Sequence, residues 1–216
     1  MLNKREVSVF IVLAMVFAMV FIACDPGGGE EGEYRIGGEG PGGGIVFYFH
    51  PDGFYVEGYG EEGQPGYFEG YFARYLEAAP VDLEGSPWAF EDHSEIDEIT
   101  TFEDDPEDYL DIIGNGRKDT MSIVAHQKDI ETDTAALRAA AANFGGNADW
   151  FLPSLGELYL LYIHKDDVGI TGMDIHYWSS SQNNFSGAWA VYFNGGGYYN
   201  YGKNSTHAIR PIRAFW

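Results

Sequence analysis

The sequence predicts a single domain built from many strands and a few short helices, on three observations. A length of 216 residues suits one domain and leaves little room for a second. Aromatic residues make up 16% of the chain and glycine contributes 29 residues, a composition that favours strands joined by turns. In the middle of the chain, an alanine-rich segment and a helix-capping motif predict helices.

The N-terminus has the pattern of a targeting segment. Lys4 and Arg5 are followed by an almost continuously apolar run, Val7 to Ile22, which is shorter than the about 20 residues of a spanning helix. Phe21-Ile22-Ala23-Cys24 resembles a bacterial lipobox. We therefore expect residues 1–24 to be a lipoprotein signal peptide that ends at a lipidated Cys24. An uncleaved N-terminal anchor is the alternative.

A tether and the first strands follow this segment. Glycine and acidic residues dominate residues 25–43, which predicts a flexible tether in front of a domain at residues 44–216. The apolar residues 44–49 predict a strand that ends at a turn signal, His50-Pro51-Asp52-Gly53. A further strand pair is expected between residues 66 and 79, after a glycine- and glutamate-rich loop.

Three helices and four strands are predicted in the second half of the chain. The first helix is expected over Asp119–His126, with Asp119 as its N-cap and an apolar face that contains Met121, Val124 and Ala125. The second is the alanine-rich segment Thr134–Asn143, followed by Gly145 as a C-cap. Ser154 and Glu157 form a capping box, and this role explains the pair better than catalysis does. The third helix then runs to about His164, and strands are expected at 177–180, 188–193, 198–203 and 207–215.

Charge and cysteine content exclude several classes of function. A net charge of −22 leaves no basic patch that could displace counterions from nucleic acid. Cys24 is the sole cysteine, so the domain has no disulfide, no cysteine-based zinc site and no nucleophilic thiol. The six histidines follow no metal or catalytic-triad spacing. We therefore expect a protein that is not an enzyme and that uses no cofactor and no metal.

The segment 82–111 is acidic and contains no lysine or arginine. Its carboxylates could form a calcium site, because hard cations prefer several oxygen ligands. However, the spacing of a known calcium-binding loop is absent. A solvated acidic surface loop is the alternative that the pattern favours.

The C-terminal stretch Tyr177–Trp216 interleaves two kinds of residue. One kind is a scaffold of tryptophan, serine and aliphatic residues, and the other is tyrosine with small polar residues, as in an antibody combining site. A glycine- and asparagine-rich hairpin whose tyrosines pack on a sheet is the alternative. The candidate ligand-binding residues, all within 183–207, are Asn183, Asn184, Phe185, Gly187, Ala190, Tyr192, Asn194, Gly196, Tyr198, Tyr199, Asn200, Tyr201, Asn204, Ser205 and His207.

Five motifs occur in the order that is typical of one known family. They are Gly42–Tyr48, Tyr75–Pro80, Asp149–Leu158, Tyr177–Ser181 and Ile209–Phe215. Together they resemble the Lcl C-terminal domain family. This resemblance implies a mixed α+β domain with a C-type lectin-like fold, in the branch typified by formylglycine-generating enzyme. It also implies that the first strand pairs with the last and that helices pack on one side.

The segment from Asn183 to His207 resembles something narrower, the variable regions of treponemal and phage proteins that are diversified by retroelements. In such systems asparagine codons are copied with errors, which yields Tyr, Ser, Gly, His and related residues. Two departures limit other functions. The enzyme branch needs reactive cysteines, and none follows Cys24. The calcium-binding triplets of sugar-binding lectins are absent as well.

These resemblances imply a lipoprotein of the cell envelope, displayed on the outer-membrane surface, that binds an unknown protein or glycan. The membrane would be a partner through the lipid on Cys24, nucleic acid would not, and the protein would be a monomer. A non-variable envelope lipoprotein with a structural or glycan-adhesion role is the alternative.

Overall fold

The computed structural model describes residues 33–89, 96–102, 113–127, 133–170 and 174–216. The expected signal peptide, Cys24 and residues 25–32 of the tether lie outside these residues. The described part is a mixed α+β domain, as expected. Its strands are β1 Ile45–Val56, β2 Tyr71–Ala78, β3 Leu83–Pro87, β4 His176–Gln182, β5 Gly187–Tyr192, β6 Tyr198–Gly202, β7 Thr206–Ile209 and β8 Ile212–Phe215; its helices are α1 Gly116–Gln127, α2 Ala135–Ala140 and α3 Leu155–Ile163.

Two sheets organise the domain. The three-stranded sheet has the order β1-β2-β8 and is antiparallel. The five-stranded sheet has the order β3-β7-β4-β5-β6 and is mixed, because β4 and β7 run parallel. The expected pairing of the first strand with the last is wrong. The segment Tyr75–Ala78 of β2 bonds to β1 on one side and to β8 on the other, and so separates them.

The five-stranded sheet separates two parts of the core. Side chains alternate along a strand, so neighbouring residues of β4 enter different clusters. Tyr177 packs with Val191 against the leucines of α3 and the inner face of the three-stranded sheet. Trp178 packs with Ala190 on the other side, among residues of α1, α2 and Trp88. One side of the five-stranded sheet therefore packs on α3 and the three-stranded sheet, and the other side packs on α1 and α2.

The first half of the chain differs from expectation at two places. The strand β1 does not end at the predicted turn but continues to Val56. Its pairing with β2 shifts from Phe49↔Tyr75 to Phe54↔Ala73, so residues 50–53 bulge out of the ladder without ending the strand. The predicted strand pair is one strand, β2, preceded by a single bridge between Tyr59 and Phe68.

The predicted tether is wrong for residues 33–43, which are part of the folded domain. The ring of Tyr34 lies 5.1 Å from that of Phe215. The backbone N–H of Gly42 donates to the buried carboxylate of Glu77 at 2.9 Å. A Cβ on Gly40 would lie 2.4 Å from the same carboxylate. These glycines allow the backbone to approach a buried acid, and composition alone does not distinguish this role from that of a linker.

The helices follow their sequence signals in part. The capping box of Ser154 and Glu157 is confirmed at the start of α3. In contrast, α1 begins at Gly116, and Asp119 lies buried inside the helix instead of capping it. The face predicted to be buried, at Met121, Val124 and Ala125, is partly or fully exposed, whereas Thr120 and Ile123 are buried. The helix α2 ends in a right-handed cap at Ala141, and Gly145 lies beyond it.

The acidic segment contains structure where it is described. The strand β3 lies within it, and the carboxylate of Asp82 forms an ion pair with Arg210 at 2.6 Å. The hydroxyl of Tyr177 donates to the same carboxylate at 2.8 Å. Asp82 is therefore paired with two protein groups, although its side chain remains 35% exposed. Residues 90–95 and 103–111 of this segment lie outside the described residues.

Candidate ligand-binding surface

One face of the five-stranded sheet carries a cluster of aromatic side chains. In the ladders, His176 is opposite Tyr192, while Ala190 and Ala188 are opposite Tyr199 and Tyr201. Side chains alternate along strands, so these rings lie on the face that also carries Trp178. His207 of β7 joins them from the other side of β4. We call His176, Tyr192, Tyr199, Tyr201 and His207 the aromatic patch.

The rings of the aromatic patch contact one another. His176 stacks on Tyr192 with ring centroids 4.6 Å apart, and Tyr201 lies 4.4 Å from His207. Tyr199 and Tyr201 are 6.2 Å apart. The hydroxyl of Tyr201 is hydrogen bonded to Nε2 of His176 at 2.9 Å. The patch is therefore one contiguous surface whose rings are held by their neighbours.

The patch is accessible and carries little positive charge. Tyr199 is 47% exposed, and the other four side chains are half-buried. Burial lowers the pKa of His207 to about 4, and the neighbouring His176 adds to this effect. Burial also lowers the pKa of His176, although Asp174 opposes the shift. Both histidines are consequently neutral at physiological pH.

The phenols of Tyr192 and Tyr201 are neutral as well. A hydrogen bond from the Tyr192 hydroxyl to Asp174 Oδ1, at 2.6 Å, is the main cause that raises the pKa of this tyrosine. Burial raises the pKa of Tyr201. The surface therefore presents aromatic rings with neutral donors and acceptors, beside the carboxylate of Asp174.

Several other predicted residues surround the patch. Asn194 donates to the Tyr192 hydroxyl at 3.2 Å and so lies at its edge. Asn204 is exposed and Ser205 half-buried in the turn between β6 and β7. Tyr198 and Asn200 alternate with Tyr199 and Tyr201 along β6. They therefore lie on the face of the five-stranded sheet that is opposite the aromatic patch. Phe185 is exposed in the turn between β4 and β5, also away from the patch.

Three predicted ligand contacts are buried and do not reach solvent. Asn183, Gly187 and Ala190 lie inside the domain, so their prediction as contact residues is wrong. The amide of Asn183 donates to the Phe102 carbonyl at 2.8 Å and accepts from Asn200 at 2.8 Å. Ala190 packs in the core beneath the patch. Such residues share their composition with ligand contacts but stabilise the scaffold.

Two more predicted residues have structural roles. Asn184 Oδ1 accepts hydrogen bonds from the backbone of Ser186 and Gly187, both at 2.9 Å, and so closes the turn between β4 and β5. Gly196 has φ +74°, and a Cβ there would lie 2.4 Å from the ring of Tyr162. A side chain at position 196 would be strained and would clash, so we expect the fold to require glycine.

Sequence reasoning missed two members of the site, His176 and Asp174. His176 precedes Trp178 by two residues, and that spacing on a strand would have placed it on the same face. Asp174 follows a segment with no regular pattern, and nothing in the sequence shows that Tyr192 reaches it.

A buried lysine supports the neighbouring turn. Lys203 is 4% exposed, and its ammonium group donates to Gln182 Oε1 at 2.9 Å. The same group lies 4.6 Å from the ring centroid of Trp88. This arrangement ties the end of β6 to β4 and to Trp88 below them, and so fixes the turn beside the patch.

Metal sites, membrane-spanning helices and ligand clefts are the other features of interest in the described residues. Within these ranges, no group of three or more His, Cys, Asp and Glu side chains is arranged to hold a metal ion. No described helix is long and apolar enough to span a bilayer. A polar cleft of about 550 Å³ lies beside α1, lined by residues such as Tyr59, Asp97, Asn115 and Lys118. It shares no lining residue with the aromatic patch.

Comparison with known proteins identifies one family. A model of the Lcl C-terminal domain family matches residues 103–213, a range that includes α1 to α3 and the aromatic patch. Among solved structures, the chain is similar to a fimbrial protein from Bacteroides ovatus ATCC 8483, with 16% sequence identity and a TM-score of 0.48. That alignment covers 80% of this chain but only 44% of the fimbrial protein. No curated protein matches the chain.

Proposed function

Since the chain belongs to the Lcl C-terminal domain family, we propose that it is a surface-displayed lipoprotein that binds a protein or glycan ligand through the aromatic patch. The observation that carries this function is the accessible group of Tyr192, Tyr199 and Tyr201, held against two neutral histidines on a sheet. Large rings with polar tips contribute much contact area and lose little side-chain entropy on binding.

Binding accounts for the chemistry of the patch better than catalysis does. The hydroxyls of Tyr192 and Tyr201 are neutral phenols, because their pKa values are raised. Its histidines have lowered pKa values, which makes them poor proton acceptors at neutral pH. Rings and neutral hydrogen-bonding groups of this kind are typical of recognition surfaces.

We propose in addition that a retroelement diversifies part of this surface. The structure limits which positions could be exchanged without loss of the fold. Exposed or half-buried residues such as Tyr192, Asn194, Tyr199 and Asn204 have room for other side chains. In contrast, Gly196 is required by its backbone and its neighbour.

The finer fold and the location belong to the same proposal. A C-type lectin-like fold of the formylglycine-generating-enzyme branch would present a stable sheet from which loop and strand residues contact a ligand. Lipid attached to Cys24 would hold the domain at the cell envelope, on the outer-membrane surface. The lipobox-like residues 21–24 support this location.

Two tests examine the proposal. The first is a search of neighbouring DNA for a near-copy of the segment that encodes residues 178–215, with adenine mismatches, beside a reverse transcriptase gene. We expect mismatches at the codons of Tyr192, Tyr199 and Asn204 and none at the codon of Gly196. Absence of the copy would favour the alternative, a non-variable envelope lipoprotein with a structural or glycan-adhesion role.

The second test measures binding. Full-length protein in detergent is applied to glycan and extracellular-protein arrays, and each captured ligand is retested with the double variant Tyr192→Ser/Tyr199→Ser. We expect capture to be lost while the thermal transition is retained. Ile163→Ser is the matched control, because this side chain is also about half exposed, at 54%, but lies at the end of α3. Equal capture by the wild type and the double variant would exclude the aromatic patch as the ligand-binding surface.

A further inference from the structure

A second exposed aromatic surface lies on the three-stranded sheet. Phe72 is 60% exposed and Trp216 is 67% exposed, and both are large apolar side chains. Tyr55 contacts Phe72 with ring centroids 5.4 Å apart. The guanidinium group of Arg74 lies 5.6 Å from the ring centroid of Trp216. We call Tyr55, Phe72, Arg74 and Trp216 the outer aromatic face.

These residues are neighbours on one side of the sheet. Phe72 and Arg74 are two residues apart on β2, so their side chains project from the same side. The guanidinium group of Arg74 also lies 5.0 Å from the ring centroid of Phe49 on β1. Exposed aromatic side chains grouped around a cation are unusual on a surface that contacts only water.

The described chain begins beside this face. The ring centroids of Tyr34 and Tyr75 are 5.5 Å apart, and the ring of Tyr75 stacks on that of Phe49 with centroids 5.0 Å apart. Phe49 is the ring on which Arg74 lies. From Cys24 to residue 33 there are nine residue steps, which span at most about 30 Å when fully extended. A lipid on Cys24 would therefore hold this side of the domain close to the bilayer.

We infer that the outer aromatic face rests in the headgroup region of the membrane that anchors the protein, an inference that relies on the proposed attachment at Cys24. Tryptophan and tyrosine favour this region because their rings are apolar and their tips are polar. The Arg74 guanidinium group can pair with lipid phosphates while its stem stays on the aromatic rings.

This contact would also orient the aromatic patch. The inner side of the three-stranded sheet shares a core cluster with Tyr177 and Val191, on one side of the five-stranded sheet. The patch extends from the opposite side of that sheet, next to Trp178. A membrane on the outer aromatic face therefore leaves the patch directed away from the lipid. The net charge of −22 opposes closer contact of the remaining surface with anionic lipids.

Trp216 provides a specific probe of this contact. The other four tryptophans, Trp88, Trp150, Trp178 and Trp189, are at most 7% exposed. Full-length protein is reconstituted in phosphatidylcholine vesicles with or without bromine in the acyl chains, and tryptophan emission is measured. The emission of Trp216 is the difference between the wild type and Trp216→Phe. We expect brominated lipid to remove the larger part of this difference emission.

Two controls keep the measurement decisive. Tyr199→Ser, in the aromatic patch, should show the same quenching as the wild type. If Trp216→Phe alters the near-ultraviolet circular dichroism, then Phe72→Trp is used instead as a gain-of-signal variant. Its additional emission should be quenched by brominated lipid.

The outcomes separate this inference from the proposed function. Vesicle flotation without quenching would overturn the membrane contact and leave the anchor intact. Loss of flotation would overturn both the anchor and the contact, while ligand capture by the patch is measured independently in detergent. In native envelope membranes, protection of Trp216 from acrylamide without quenching in vesicles would overturn the inference in favour of a protein partner.

Discussion

Neutralising the buried carboxylate of Asp119 is expected to stabilise the protein at neutral pH. The side chain is fully buried within α1. Its Oδ2 accepts a hydrogen bond from the Thr100 N–H at 3.3 Å, while no described group donates to Oδ1. Burial is the main cause that raises the pKa of Asp119 to about 7. The folded state therefore holds a proton that the unfolded chain releases at about pH 4.

The sign and size of the effect follow from this difference. A carboxylate with a raised pKa in the folded state contributes its stability fully below about pH 4 and loses it as the pH rises through about 7. Three pKa units correspond to a fall of roughly 4 kcal/mol in the free energy of unfolding. Since Asp119→Asn removes the charge, we expect the variant to gain roughly 2–4 kcal/mol over the wild type at pH 7.5.

Urea unfolding of the wild type and Asp119→Asn at several pH values between 4 and 8 measures this difference. Glu157, whose pKa burial also raises to about 7, is present in both proteins. Its contribution cancels except for its charge interaction with Asp119, which is a minor cause of the raised pKa of Asp119. Asp166→Asn is the control, because its carboxylate is 82% exposed. An unchanged pH dependence in Asp119→Asn, or lower stability at pH 7.5, would refute the reasoning.

Three further predictions concern the site and its support. Gly196→Ala should cost roughly 2–3 kcal/mol in thermal unfolding, because it adds a clash with a tyrosine ring to the backbone strain, whereas Gly63→Ala, with φ +91° and open space, should cost about 1 kcal/mol. Lys203→Met should destabilise the protein by roughly 1–3 kcal/mol in urea, since Gln182 Oε1 loses a buried donor; stability equal to the wild type would contradict this role. The captured ligand should bind with the same affinity at pH 7 and pH 8 by calorimetry, because burial lowers the pKa of His207 to about 4 and lowers that of His176 from 6.5; a tenfold change, or about 1.4 kcal/mol, would show that a patch histidine titrates.

The parts of the fold that were predictable rest on local signals. The start of α3 follows from Ser154 and Glu157, which bond to each other's backbone within one turn of helix. The strands near the C-terminus follow from alternation and from turn residues, and β4 to β6 lie within a few residues of their expected bounds. The single strand expected at 207–215 is instead two strands, β7 and β8, which belong to different sheets. These signals are read over a few residues, so the rest of the chain does not alter them.

The predictions that were wrong concern residues whose roles depend on distant parts of the chain. The glycines of residues 33–43 resemble a linker until Glu77, far away in the chain, provides a buried acceptor for their N–H groups. Asp119 resembles an N-cap until α1 extends back to Gly116 and Thr100, 19 residues away in the chain, donates its backbone N–H to the carboxylate. In both cases the role of a residue depends on a partner that is not near it in sequence, so local patterns do not predict it.

By itself, the sequence determined the family of the domain, the composition of its C-terminal surface and most of the strands that carry it, because these depend on side-chain chemistry and short-range periodicity. Tertiary structure alone decided which tyrosines and asparagines face solvent. It joined His176 and Asp174 to the patch and placed Asn183 and Ala190 in the interior. The physical reason is that accessibility is a property of packed sheets and helices, and residues of identical composition become ligand contacts or scaffold according to what covers them.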